Sequence, residues 1–140
     1  MPTPWPDDVA LNKAAIVERC LRRIGEEFRA NPALDDFTHI DALTLNIERA
    51  CQAAIDLAMH IVASDHLGSP QSSGDAFLLL TRAGRLPADV AKAMVAMTGF
   101  RNVAIHQYQE MDLAVLRAIA EVRHHDFVAF CAALGLRIAP

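Results

Sequence analysis

The chain has few aromatic residues: one tryptophan, one tyrosine and six phenylalanines among 140 residues. Alanine, the best helix former, occurs 25 times. Because aromatic and β-branched side chains favour strands, this balance argues against a sheet and for an all-α fold. Glycine (6) and proline (7) are modest, and the absence of low-complexity tracts argues against disorder. No stretch approaches the ~18 uninterrupted apolar residues of a membrane span. Met1 to Asp8 has neither the basic start nor the apolar core of a signal peptide. The sequence contains no C-x-x-C pair, so a cysteine zinc site has no support. Cys20, Cys51 and Cys131 each fall in an apolar helical stripe and leave an odd one over, which reads as buried thiols in a reducing cytoplasm. Positive charge is not in excess, with 13 basic against 17 acidic residues and a net charge of −4. That balance disfavours bulk electrostatic coating of nucleic acid or an anionic membrane. With 53% hydrophobic and 21% charged residues, the chain can bury a sizeable core as one domain over residues 1–140, behind a proline-rich lead at 1–7.

The pattern along the chain predicts four principal helices and one short one, an up-and-down bundle. Asp7 and Asp8 can cap a first helix reaching about Ala30, with Ile16, Val17, Cys20, Leu21, Ile24 and Phe28 on its buried face. Arg19, Arg22, Arg23, Glu26 and Glu27 read as its solvated face, and Asn31-Pro32 ends it. A long second helix spans about Thr38 to His66, its apolar stripe broad enough to touch more than one neighbour. Residues 68–74 form the clearest loop. Asp75 then opens a short helix, Ala76 to about Arg82, closed by Gly84. Pro87 suits the first turn of a helix carrying Val90, Met94 and Met97 onward through Arg101. A final helix is expected from near Asp112 until Gly135 stops it.

One segment departs from simple amphipathic patterning. Residues 99–108 read G-F-R-N-V-A-I-H-Q-Y and gather an arginine, an amide, a histidine and the only tyrosine beside an apolar stripe. Arginine offers a permanently charged fork suited to phosphate oxygens, and histidine moves protons near neutral pH. Together they supply what phosphodiester cleavage needs without a metal: a proton carrier and a stabiliser of developing negative charge. Arg101 and His106 are five positions apart, about 140° around an ideal helix, so they converge only if the helix ends near His106 or a second subunit brings its own copy. Arg101 also shares the register of Met94 and Met97, a face that otherwise reads as buried. A symmetric dimer crossing there would set two arginines and two histidines around one groove. The plainer alternative is an arginine capping carbonyls at a helix end, with the histidine and tyrosine packed at the core edge.

Other polar constellations carry less. Asp56 and His60, four apart on the second helix, read as a hydrogen-bonded pair or as residues supporting the groove. His124-His125-Asp126 has the composition of a metal cluster, but successive helical residues diverge by about 100° and cannot share one ion, so no metal site is assigned. Met94, Met97 and Met111 read as gap-filling core residues. Trp5 can pin the proline-rich lead to the body or to a partner.

The segment F-R-N-V-A-I-H-Q-Y resembles the R-x-x-x-x-H-x-Y signature of the HepT-like toxins, a branch of the HEPN superfamily. I-E-R-A-C-Q-A-A-I-D-L-A-M-H-I-V resembles that family's long helix and D-A-F-L-L-L-T-R-A-G-R-L-P its short helix and turn, so the likeness covers about residues 38–133. The resemblance implies a helical homodimer that cuts single-stranded RNA without a metal or cofactor. It assigns Arg101 to the scissile phosphate and His106 to general acid or base work while the RNA's 2′-hydroxyl attacks. Asn102 would hold the backbone or orient His106, and Gln107 receives no role. Tyr108 matches the tyrosine that a small MntA-like nucleotidyltransferase antitoxin modifies with AMP. The same resemblance leaves open a non-catalytic subunit that binds the partner or substrate of a minimal nucleotidyltransferase.

Overall fold

The structure, a computed structural model, describes residues 4–106 and 113–140, and the side chains of residues 4–101 and 113–140. The described residues are helical, without strand. They form α1 (Asp8–Ala30), α2 (Phe37–Ser64), α3 (Ser73–Arg82), α4 (Ala88–His106), α5 (Leu113–Ala118), a π-helical segment (Ile119–Arg123) and α6 (His125–Ala133). Among the described residues, no helix is long and apolar enough to cross a membrane.

Helices α1 and α2 are the frame. Asp7 caps α1 by accepting the Ala10 N–H at 2.8 Å, and Asp36 caps α2 by accepting the Thr38 N–H at 2.9 Å, each satisfying an otherwise unpaired first-turn donor. Between them, the Asn31 side chain accepts the Asp35 and Asp36 N–H groups at 3.1 and 3.0 Å. That tie holds a tight turn in which Leu34 adopts a positive φ and plugs the core. The helices run antiparallel, because the start of α1 meets the end of α2 through Asp7–His60 at 2.7 Å and the end of α1 meets the start of α2 through Glu27–His39 at 2.6 Å. Val17, Leu21 and Ile24 of α1 are buried with Leu43, Ile47, Ala54, Leu57, Ala58 and Ile61 of α2 in one continuous core.

The remaining elements close on this hairpin. Phe77 of α3 is fully buried edge-on to Phe130 of α6, their ring centres 5.3 Å apart. Gly84 and Gly135 take positive φ after α3 and α6, and the Arg85 and Leu136 N–H groups reach back to Leu80 and Cys131 carbonyls at 2.8 Å. This left-handed closure is the one glycine tolerates best, as expected for both positions.

Two helix limits differ from the sequence expectation. Helix α3 starts at Ser73, earlier than expected, because Ser72 rather than Asp75 is its cap: the Ser72 hydroxyl accepts the Asp75 N–H at 3.2 Å. The expected single final helix is divided into α5, the π segment and α6. The divide is marked by the His124 N–H bonding the Ile119 carbonyl at 2.8 Å, a five-residue step in place of the usual four.

Candidate functional site

Helix α4 carries the residues on which the chemistry would rest. Ala91, Met94, Met97 and Thr98 are buried, and α4 packs against α2, α3 and α6. The two methionines thus lie in the core, as expected. The Cys51 thiol of α2 donates to the Met97 carbonyl at 3.6 Å, fixing the level at which the two helices cross.

Arg101 follows Met94 and Met97 in the same helical register and is half-buried. Its positive charge acts on the Cys51 thiol, which burial pushes up to about 12, with Glu48 of α2 pushing in the same direction as burial. Cys51 is therefore a protonated, unreactive core thiol on which the charges of Arg101 and Glu48 act in opposite directions. Arg101 makes no ion pair among the described residues. A half-buried guanidinium on a core-facing register with no carboxylate partner among the described residues is a placement that functional sites favour.

Asn102 and His106 lie on the last turns of α4, and their side chains are outside the described residues, as are Gln107, Tyr108 and Met111 altogether. Positions 101 and 106 belong to one continuous helix, which separates them by about 140° around its axis.

The other sequence-selected residues are placed elsewhere. Asp56 accepts Gln52 at 2.8 Å and pairs with Lys13 of α1 at 3.3 Å, while His60 pairs with Asp7 at 2.7 Å. Both therefore clamp α1 onto α2, and the pair expected between them is replaced by these partners. His124 and His125 stack with ring centres 4.0 Å apart, the His124 Nδ1 lies 3.3 Å from the Ile119 carbonyl, and Asp126 faces Arg123 at 4.0 Å. Among the described residues, no three His, Cys, Asp or Glu side chains are arranged to hold a metal ion. Trp5 pins the lead to the body, donating its indole N–H to the Leu134 carbonyl at 2.8 Å. Cys51 is the buried thiol that its apolar stripe indicates, whereas nothing in the sequence singles out Glu48, whose charge acts on the same thiol and which fits an ordinary amphipathic pattern on α2.

Comparison with known proteins places this geometry in a family. The family model described as "Ribonuclease HepT-like" matches residues 12–134. An mRNA nuclease HepT of Shewanella oneidensis is 38% identical over 132 residues, covering 89% of this chain and 94% of that protein. A tRNA nuclease HepT of Aphanizomenon flos-aquae is 31% identical over 86 residues, covering 59% of this chain and 58% of that protein. Among solved structures, the tri-AMPylated Shewanella oneidensis HEPN toxin bound to its MNT antitoxin superposes with a TM-score of 0.87 at 35% identity, covering 92% of this chain and 98% of that one. A toxin–antitoxin crystal structure with AMP-PNP gives a TM-score of 0.88 at 34% identity over the same shares. The chain belongs to the ribonuclease HepT-like family.

Proposed function

We propose that the chain is the toxin of a toxin–antitoxin pair, a metal-independent endoribonuclease that cuts single-stranded RNA in the cytoplasm. The observation that carries this reading is Arg101, a half-buried guanidinium with no ion-pair partner among the described residues, opening an R-x-x-x-x-H-x-Y run at the end of α4. The family match over residues 12–134 and the nuclease names of the relatives support it.

In this reading Arg101 binds the non-bridging oxygens of the scissile phosphate and stabilises the charge that builds on them. The RNA's own 2′-oxygen attacks phosphorus while the bond to the 5′-oxygen breaks, leaving a 2′,3′-cyclic phosphate and a 5′-hydroxyl. His106 serves as general acid or base, moving the proton that leaves the 2′-hydroxyl or the one that reaches the departing 5′-oxygen. Asn102 holds the RNA backbone or orients His106. Asp56 and His60 support the fold behind the groove by fixing α1 on α2.

The angular separation of positions 101 and 106 favours a homodimer in which two α4 ends meet, so that one copy's arginine works beside the other's histidine. With α5, the π segment and α6 taken as one broken arm, each copy is then a four-armed up-and-down bundle with α3 as a short insert. Silencing follows from Tyr108. An MntA-like nucleotidyltransferase would transfer AMP to its hydroxyl, placing phosphate charge and an adenosine where they compete with RNA for Arg101.

The test is cleavage of a labelled RNA by wild type and His106→Ala, followed by intact mass after incubation with the cognate nucleotidyltransferase, ATP and magnesium. The reading expects His106→Ala to lose about a hundredfold or more in rate while keeping its fold. It expects one or more adenylate masses on wild type and none on Tyr108→Phe. Full activity of His106→Ala refutes the catalytic assignment. Stable co-purification with the nucleotidyltransferase but no cleavage by the stripped protein selects a non-catalytic binding subunit instead.

A further inference from the structure

A groove of about 390 Å³ separates α4 from the arm made by α5 and the π segment. Among the described residues, Ala93, Ala96, Met97 and Phe100 line it from α4, and Val115 and Ile119 line it from the arm. Met97, Phe100 and Ile119 are buried and give the groove its floor, whereas Ala96 and Val115 are exposed at its mouth. The α4 positions recur at three- and four-residue spacing, so one face of the helix stays apolar from Ala93 to Phe100. The volume lies within the roughly 300–1,000 Å³ usual for small-ligand sites.

Charged lining residues precede this apolar run on α4 and follow it on the arm. They are Asp89 and Lys92, and then Arg123 and Asp126, which lie 4.0 Å apart. Two carboxylates stand against two cations, so the groove has no excess positive charge to draw in a phosphate. An uncharged flat ring fits its apolar stretch instead. That stretch leads directly to Arg101. Met97 lines the groove, and Arg101 follows it by one turn on the same register, about 5.4 Å further along α4. A phosphate held by Arg101 would therefore have the apolar stretch within the reach of one ribose. Single-stranded RNA offers unstacked bases with faces free to pack on such a surface.

Resting on the nuclease reading above, we propose that this groove receives a nucleobase of the RNA, that of a nucleotide adjoining the scissile phosphate. With the phosphate on Arg101, the base enters between Ala96 and Val115 and packs on Met97, Phe100 and Ile119. Every base has a ring face to offer, so the groove holds the strand by ring burial rather than by reading hydrogen bonds. Arg101 and the groove then divide the work: one fixes the phosphate and the other fixes the sugar's direction through its base.

Cleavage of a labelled RNA oligonucleotide, beside copies carrying an abasic ribonucleotide on either side of the cut, tests this. Wild type is expected to cleave one abasic copy about tenfold or more slowly than the intact strand, through a raised KM. Ala96→Phe and Val115→Phe fill the groove from opposite walls at exposed positions, and circular dichroism checks that each keeps its fold. Both are expected to cleave intact RNA as slowly as wild type cleaves that abasic copy, with no further loss on the abasic copy itself. Methyl NMR of the chain titrated with adenosine reads the groove without any cleavage, as shifts at Met97, Val115 and Ile119 that Ala96→Phe abolishes. Those shifts in a chain that cuts no RNA would support the groove as a base site while the nuclease reading fails, and their absence in such a chain overturns both. With cleavage intact, the inference is overturned if neither abasic copy is impaired or if the filled variants cleave like wild type. Conversion of a dimeric wild type to a monomer by Ala96→Phe overturns it too, because the groove would then be a contact between subunits.

Discussion

Replacing Arg101 by methionine separates function from architecture more sharply than replacing it by alanine. Methionine keeps an unbranched stem on the register of Met94 and Met97, so contact with α2 beside Cys51 is retained and no cavity is opened. The guanidinium has no ion-pair partner among the described residues, so its removal orphans no carboxylate there. The expected stability change is therefore within about 1 kcal/mol, a Tm shift of no more than roughly 5 °C for a chain of this size. The catalytic effect is of another order. Losing a preorganised group aimed at the developing phosphate charge costs about 2.7–4 kcal/mol of barrier, or roughly a hundred- to a thousandfold in rate. Thermal unfolding followed by circular dichroism and single-turnover cleavage of a labelled RNA measure the two quantities on one preparation. A large fall in Tm, with activity lost in proportion to unfolding, would make Arg101 a structural residue. Unchanged cleavage would remove it from the reaction.

Further outcomes follow from the core and its caps. Phe77→Ala removes a fully buried ring and its edge-on contact with Phe130, and denaturant unfolding should show a loss of about 3–5 kcal/mol. The Cys51 and Cys131 thiols, both pushed up to about 12 by burial, should resist thiol reagents at neutral pH in the native state and react at ordinary rates once unfolded. The Asp7 carboxyl is held low by the Ala10 N–H and by His60, and that of Glu27 by His39 and Arg23. Both bind protons more weakly folded than unfolded. Their stabilisation is present above the ordinary carboxylate range and lost as pH falls through it. Urea unfolding against pH should show that acid limb, and Asp7→Asn with Glu27→Gln should flatten it. Trp5→Phe, which deletes the bond to the Leu134 carbonyl, should cost about 0.5–1.5 kcal/mol by the same assay.

The parts of the fold legible in the sequence are those governed by local rules. Asp7, Asp36, Gly84 and Gly135 set helix limits through caps and left-handed turns, so α1 and α2 fall within a residue or two of their expected ends. The start of α3 is less legible because Ser73 and Gly74 read as loop, whereas a methyl at Gly74 would lie only 3.5 Å from Val95, so the helix packs closely on α4 there. The π segment has no proline or glycine to announce it; one register step inside an alanine-rich run leaves the composition unchanged. Partner choice is the other gap. Asp56 and His60 are correctly spaced to meet, yet Lys13 and Asp7 reach them first across the α1–α2 seam. Arg22, Arg23 and Arg29 on α1 share one helical neighbourhood with Glu26 and Glu27, and only the folded chain shows that Arg23 pairs with both carboxylates while Glu27 also meets His39 of α2. Arg101 is the reverse case. Its conflict with the methionine register is visible in the sequence, and its half-buried placement beside Cys51 follows that register.

The central claim is that this chain cuts RNA by attack of the substrate's own 2′-hydroxyl, using Arg101 and His106 and no metal. The most direct measurement is cleavage of an RNA oligonucleotide in the presence of a chelator, beside the same oligonucleotide carrying a 2′-deoxy sugar at the cut position, with product ends read by mass spectrometry. The account predicts full cleavage of the RNA to a 2′,3′-cyclic phosphate and a 5′-hydroxyl, and an intact deoxy-substituted strand. Cleavage that stops in chelator, proceeds on the deoxy-substituted strand, or leaves a 5′-phosphate would contradict it.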